Sequence, residues 1–82
     1  MDTTKLLSRN IRFHLFRTDL TLRDVAETAG ISPYSLGRVA SGKTKLIDPN
    51  LITDLMRVFK CDANALLMPI AGVPYNEGNQ DE

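Results

Sequence analysis

The stretch LTLRDVAETAGISPYSLGRVASG, residues 20–42, predicts two short helices joined by a turn of about three or four residues. Thr21 is an N-cap residue and Asp24 follows three residues later, which is the spacing of a capping box. The first helix is therefore expected to begin near Leu22. Gly30 follows its last helical residue, where a left-handed backbone closes the turn without a Cβ penalty.

The second helix has its own start signals. Ser32 is the expected N-cap, and Pro33 stands at the first helical position, where its missing N–H has no partner to lose. Apolar and small residues at helical spacing predict the faces on which the two helices pack together. These are Val25, Ala26 and Ala29 on the first helix and Leu36, Val39 and Ala40 on the second.

The opposite face of the second helix contains no large aliphatic residue. Gly37 in a helix interior costs about 1 kcal/mol relative to alanine, so a close approach by another backbone or by a base edge would explain it. An ordinary solvated helix face is the alternative interpretation. The outward row consists of Tyr34, Gly37, Arg38 and Ser41, flanked by Pro33 and Ser35.

These residues resemble the Cro/CI-type (XRE-like) helix-turn-helix family of phage and bacterial transcriptional repressors. The likeness covers about residues 7–67, through the segments LSRNIR, LTLRDVAETAGIS, GRVASGKTK and KCDANALL. It implies an all-α, lambda-repressor-like bundle of about five short helices. It also implies a DNA-binding domain at residues 1–68, with its motif at about residues 21–40 and the recognition helix, residues 32–40, in the major groove.

The resemblance further implies which residues would contact DNA. The base contacts fall on Pro33, Tyr34 and Arg38, and the outward position of Gly37 adds a fourth. Arg38 carries a planar donor fork that can pair with O6 and N7 of guanine. The family usually has a polar residue where this chain has Leu22, so Arg23 or free N–H groups of that helix start would supply the clamp instead. The expected backbone contacts are Thr21, Arg23, Ser32, Ser35, Ser41, Lys43, Thr44 and Lys45, the last three in a loop with Gly42.

Net charge alone argues against a nucleic-acid partner, because ten basic residues balance ten acidic ones. The distribution of these charges along the chain argues for such a partner. Residues 5–45 carry eight basic and three acidic side chains, whereas residues 46–82 carry two basic and six acidic ones. Because the Debye length is about 8 Å at physiological salt, the local excess of positive charge governs the field at the predicted motif. A double-stranded DNA operator is therefore the expected partner.

Other functional classes have little support in the sequence. One cysteine and one histidine in 82 residues give neither an internal disulfide nor a metal cluster, and no phosphate-binding glycine loop or paired carboxylates indicate an enzyme. We expect no cofactor. No export signal or long apolar run is present, so a cytoplasmic protein is expected. The alternative function is an antitoxin or another protein-interaction module with secondary DNA binding.

The remaining helices follow from apolar spacing and caps. A first helix is expected at residues 4–17, with His14 as a partly buried neutral imidazole. Asp48 and Pro49 start a helix that carries an apolar stripe. Asp62 caps a short last helix at residues 63–68, with Cys61 as a reduced core residue. The expected apolar positions are Leu7, Ile11, Leu15, Ile52, Leu55, Met56 and Phe59.

A partner surface is expected because a single half-site contact is weak and proteins of this size usually dimerise. Residues 69–82 predict an extended, partly disordered arm, whose Ile70, Val73 and Tyr75 could cover the aromatic side chains of the first helix. Phe13 and Phe16 are the alternative contact surface, for a second copy or another protein. The expected homodimer interface is Leu66, Leu67, Met68 and Ile70.

Overall fold

The structure, a computed structural model, describes residues 2–73, which form five α-helices and contain no β-strand. The helices are α1 (Thr3–Thr18), α2 (Leu22–Ala29), α3 (Pro33–Ala40), α4 (Pro49–Phe59) and α5 (Asn64–Leu67). The all-α prediction is confirmed. Within the described residues, none of these helices is long and apolar enough to cross a membrane. The prediction for Tyr75 and the rest of residues 74–82 lies outside the described residues.

The helix starts that the sequence predicted are present. The Thr21 hydroxyl accepts a hydrogen bond from the Asp24 N–H, and the Asp24 carboxylate accepts one from the Thr21 N–H, each at 3.0 Å. These bonds hold the pKa of Asp24 below its usual value. Ser32 caps α3, and Pro33 is its first residue. The two helices are thus set at fixed starting points by local bonds.

Four helices end with a residue in the left-handed conformation, but only two of those residues are glycine. Gly30 ends α2 and Gly42 follows α3, both at φ +75°. Asp19 and Lys60 have φ of 58° and 55° at the ends of α1 and α4. No local sequence signal indicates the last two ends, since neither residue is a glycine and the left-handed region is costly for most residues with a Cβ.

The core lies among the five helices, with α1 packed on α3 and α5, and α2 packed on α3 and α4. Its fully buried side chains come from every helix, and the largest are Leu7 and Ile11 of α1, Val25 of α2, Leu36 of α3, Leu55 and Phe59 of α4, and Leu66 of α5. The predicted apolar stripes of α1 and α4 are therefore confirmed. Leu51, which the predicted stripe omitted, is also buried.

Three side chains of α1 donate hydrogen bonds to carbonyl oxygens at the ends of other helices. Such carbonyls lack a partner within their own helix, and burial would make them costly if unpaired. Ser8 Oγ donates to the Ala40 oxygen at 2.5 Å, Asn10 Nδ2 to the Leu66 and Met68 oxygens at 2.8 and 3.0 Å, and Arg17 Nη2 to the Phe59 oxygen at 3.1 Å. Helix α1 thus fixes where α3, α4 and α5 end.

His14 is a buried neutral imidazole, as predicted, and it is only 3% exposed. Its Nδ1 accepts from Arg17 Nε at 3.1 Å, so the proton is on Nε2, which donates to the Ala65 oxygen at 2.8 Å. The ring stacks on Phe59 with centroids 5.1 Å apart. Burial, aided by the nearby Arg17 charge, lowers the pKa of His14 below its usual 6.5 despite the opposing hydrogen bond to Ala65.

The C-terminal part of the described chain corrects three predictions. Helix α5 begins at Asn64 rather than at residue 63, although the Asp62 carboxylate does accept from the Ala65 N–H at 3.0 Å. Leu66 has no exposed surface because it fills the chain's own core, so it cannot belong to the predicted dimer interface. Phe16 is 86% exposed, so the described residues 69–73 of the expected arm leave it uncovered.

The burial of His14 predicts that stability falls in mild acid. Because its folded-state pKa is below the unfolded one, the unfolded chain binds more protons as the pH drops below about 6.5. We expect the free energy of unfolding to be largest above that pH and to decrease between about pH 7 and pH 5. Urea unfolding at several pH values measures it.

His14→Leu is the matched variant, because this chain has no other histidine. At neutral pH it should lose about 1 to 3 kcal/mol, since the Ala65 carbonyl and the Arg17 guanidinium both lose a partner. Its stability should nevertheless change little between about pH 7 and pH 5. An equally steep acid loss in this variant would show that another group is responsible.

Candidate nucleic-acid interface

Helix α3 has a buried inner face and a solvent-exposed outer face. Leu36 is fully buried and Ala40 is nearly so, which anchors the inner face against the core. On the outer face Tyr34 is 74% exposed, and Arg38, one turn later, is also exposed. Pro33 and Ser35 are exposed beside them. Three of the four predicted base-contact residues, Pro33, Tyr34 and Arg38, therefore share a solvent-facing surface.

The Arg38 side chain is linked to the loop formed by residues 41–45, hereafter loop 41–45. Its Nη2 donates to the Lys43 oxygen at 3.3 Å, and the Lys43 N–H donates back to the Arg38 oxygen at 3.0 Å. A third bond runs from the Gly42 N–H to the Val39 oxygen at 3.1 Å. The two backbone bonds form a Schellman motif, so the loop leaves α3 in a fixed direction with its lysines next to the outer face.

Loop 41–45 is rich in unpaired positive charge. Lys43 and Lys45 are exposed and Thr44 is half-buried. The ion pair found among the described residues joins Arg57 to Asp54 at 2.9 Å on α4. Neither loop lysine is therefore paired with a carboxylate of the described residues. Lysine side chains without an ion-pair partner are available to bind an anion such as a phosphate group.

Ser41 does not fit its predicted role as a free phosphate donor. Its hydroxyl donates to the Gly37 oxygen at 2.7 Å, and its N–H donates to the same oxygen at 3.0 Å. A hydroxyl has one proton, so a phosphate contact from Ser41 would require this bond to break. Its role in the free protein is to close the last turn of α3.

Gly37 is half-buried rather than fully outward. A Cβ built on it would lie 3.6 Å from Leu22 Cδ2, which is an ordinary van der Waals distance. Leu22 packs against the core and lies next to the middle of α3. Because its side chain is apolar, it cannot act as a polar clamp. The fold therefore leaves room for a methyl group at residue 37, so a close intramolecular contact does not explain the glycine.

The remaining predicted backbone contacts lie at the starts of α2 and α3. The Thr21 and Ser32 hydroxyls accept from the Asp24 and Ser35 N–H groups at 3.0 and 3.4 Å, which leaves each hydroxyl proton available to donate. Arg23 is exposed. These positions can therefore donate hydrogen bonds to a polar group that approaches the starts of α2 and α3.

Two features of the site were missed by the sequence reading. Ser8 of α1 anchors the end of α3 through the Ala40 oxygen, and Arg12 Nη2 donates to Ser8 Oγ at 3.3 Å. Leu46, directly after loop 41–45, is 84% exposed. A serine inside an apolar helix face is the signal that could have indicated the Ser8 contact, since a buried hydroxyl needs a partner.

No protein-family model, no curated protein and no solved structure matches this chain.

The space at residue 37 makes a stability test specific. Gly37→Ala should raise the free energy of unfolding by up to about 1 kcal/mol, because alanine is the better helix former and its Cβ meets no close atom. For a domain of this size that corresponds to a melting temperature about 4 to 8 °C higher. Calorimetry or thermal circular dichroism measures it.

Gly42→Ala is the control. It adds the same methyl group at φ +75°, where an L-residue is disfavoured by roughly 1 to 2 kcal/mol, so its melting temperature should fall. A Gly37→Ala protein that is also destabilised would mean that residue 37 is constrained by packing after all.

Proposed function

We propose that this chain is a sequence-specific DNA-binding transcriptional regulator of the Cro/CI-type helix-turn-helix kind. In this proposal it acts as a repressor that occupies a palindromic operator as a dimer. Helices α2 and α3 are the two helices of the motif, and α3 enters the major groove.

The observation that carries the proposal is the outer face of α3. Tyr34 and Arg38 are exposed on this face, and Leu36 anchors the opposite face in the core. An α-helix fits the major groove of B-DNA, where each base pair presents a distinct pattern of donors and acceptors. Tyr34 and Arg38 lie one helical turn apart and can address neighbouring base pairs.

The donor inventory of Arg38 is compatible with base reading in its observed position. A guanidinium has five N–H donors, and the bond to the Lys43 oxygen uses one of them. The other four can pair with O6 and N7 of guanine. The bond to the loop also reduces the number of rotamers that Arg38 samples, which lowers the entropic cost of ordering it on DNA.

The free space at Gly37 supports the same proposal. A Cβ at residue 37 would meet no close atom of the fold, yet the chain has a glycine there. A base edge or a sugar that approaches α3 at this point would need that space. The Gly37→Ala protein should accordingly bind DNA more weakly than the wild type although it is more stable.

A dimer would present two α3 helices to successive major grooves about 34 Å apart. Met68 is 54% exposed, and Leu67 and Ile70 are half-buried, so these three remain as the proposed contact after the exclusion of Leu66. Helix α5 is held to α1 by Asn10, which keeps this surface fixed relative to α3.

The alternative function, an antitoxin or protein-interaction module, is favoured by one observation. Phe16 is 86% exposed and half-buried Phe13 lies one turn earlier on α1. Large exposed aromatic side chains often mark protein contacts. A partner that co-purifies with the wild type and is lost with Phe16→Ser would favour this alternative.

Two substitutions separate base reading from backbone binding. On an operator selected from a random-sequence duplex pool, Arg38→Ala should cost about 1 to 3 kcal/mol and relax selectivity at one base pair. Lys43→Ala should weaken matched and mismatched duplexes by the same factor. Fluorescence anisotropy on a panel of single-base variants of the operator measures both.

Arg38→Lys refines this test because it keeps the charge and removes the planar fork. It should lose selectivity nearly as fully as Arg38→Ala. If Arg38→Ala binds every duplex like the wild type, α3 does not read bases and the proposal is wrong.

The proposed dimer contact has its own test. Met68→Ser should raise the dimer dissociation constant, since an exposed apolar side chain at an interface contributes roughly 1 kcal/mol or more. Phe16→Ser should leave the dissociation constant unchanged. Sedimentation velocity over a concentration series measures both, and the opposite result would move the interface to α1.

A further inference from the structure

Two basic side chains of α1, Lys5 and Arg12, lie beside loop 41–45, and no motif accounts for them. We propose that Lys5 and Arg12 of α1 bind the sugar-phosphate backbone of the same duplex that α3 contacts, so that the phosphate-binding surface runs from loop 41–45 onto α1. This inference rests on the proposed function.

Lys5 shares a groove with the two loop lysines. The groove has a volume of about 540 Å³ and lies between the first turn of α1 and loop 41–45. Lys5, Lys43 and Lys45 line it together with Thr3 and Thr4. Three ammonium groups around one open groove favour an extended anion.

Asp2 also lines this groove and carries the opposite charge. Its carboxylate accepts hydrogen bonds from the Thr4 hydroxyl at 2.7 Å and the Lys5 N–H at 2.9 Å. The carboxylate therefore caps α1, and no ion pair joins it to a lysine within residues 2–73. The start of α1 is not itself the binding group, and the charge of the groove remains positive because three lysines face one carboxylate.

Arg12 lies over the contact between α1 and the end of α3. Its Nη2 donates to Ser8 Oγ at 3.3 Å and its Nε to the Ser8 oxygen at 3.4 Å, while Ser8 Oγ donates to the Ala40 oxygen. A Cβ built on Gly42 would lie 3.7 Å from Ser8. The Arg12 guanidinium is thus placed near loop 41–45, keeps three of its five donors, and is exposed.

The spacing of Lys5 and Arg12 along α1 matches the spacing of phosphates along one DNA strand. Lys5 and Arg12 are separated by seven residues, which is two helical turns, so both project from the same face about 10 Å apart. At about 3.4 Å of axial rise per nucleotide, that distance spans roughly three nucleotides of one strand. Two regularly spaced charges beside a cationic loop can therefore follow one backbone.

Counterion release provides the readout. Each phosphate that a basic residue neutralises contributes about 0.9 to the slope of log K against log salt concentration. In a dimer, Lys5→Gln removes two such contacts, so the slope should become shallower by about 1.8. Affinity should fall by the same factor on the selected operator and on a mismatched duplex, because phosphates carry no sequence information.

Lys60→Gln is the matched control. It removes the same charge at the far end of α4 from the loop, since α4 begins at Pro49 and ends at Phe59. Its slope should equal that of the wild type. A Lys5→Gln protein that behaves like Lys60→Gln, beside a wild type with a steep slope, would overturn this inference and leave the proposed function standing.

Arg12 needs two variants because it also supports Ser8. Arg12→Gln should reduce the slope as Lys5→Gln does, whereas Arg12→Lys should keep the slope even if its melting temperature falls. An unchanged slope in Arg12→Gln would make Arg12 a purely structural residue and overturn its part of the inference. A wild type that binds no duplex at all would overturn both the inference and the proposed function.

Discussion

The burial of Leu36 determines which side chains of α3 are exposed to solvent. This side chain has no exposed area, and a fully buried leucine contributes about 1.5 to 3 kcal/mol. Its position fixes the rotation of α3 about its own axis. Rotation of α3 by about one residue, 100°, would bury the Arg38 charge or the Tyr34 hydroxyl, both of which are costly without partners. The anchored inner face therefore dictates the polar outer face.

Helix α1 provides the second constraint, through polar rather than apolar side chains. Ser8, Asn10 and Arg17 each donate to a carbonyl at the end of another helix, and His14 donates to one within α5. Buried carbonyls at helix ends must find donors, and short helices have a high proportion of such ends. A single long helix that carries these donors compensates for the brevity of its neighbours. The same helix presents Lys5 and Arg12 to solvent beside loop 41–45, and Ser8 lies between them on that face.

The local features of the fold could be predicted from sequence because they depend on neighbouring residues. The Thr21–Asp24 capping box, the Gly30 turn and the Ser32–Pro33 start each involve residues at most five apart. The ends at Asp19 and Lys60 were not predictable in this way, because both residues are left-handed and neither is a glycine. The burial of Leu66 was likewise misassigned, since an apolar residue in a short helix fits a core and an interface equally well in sequence.

The sequence by itself determined five helical segments, their apolar faces and the concentration of positive charge in residues 5–45. It could do so because periodicity and capping are properties of contiguous residues. Only the tertiary structure decided that Arg38 is joined to Lys43, that the Ser41 hydroxyl closes α3, and that Lys5 shares a groove with Lys43 and Lys45. Lys5 and Lys43 are far apart in the chain, and the packing of α3 on α1 brings them together. Side-chain bonds likewise depend on rotamers that packing selects, and sequence spacing does not encode them.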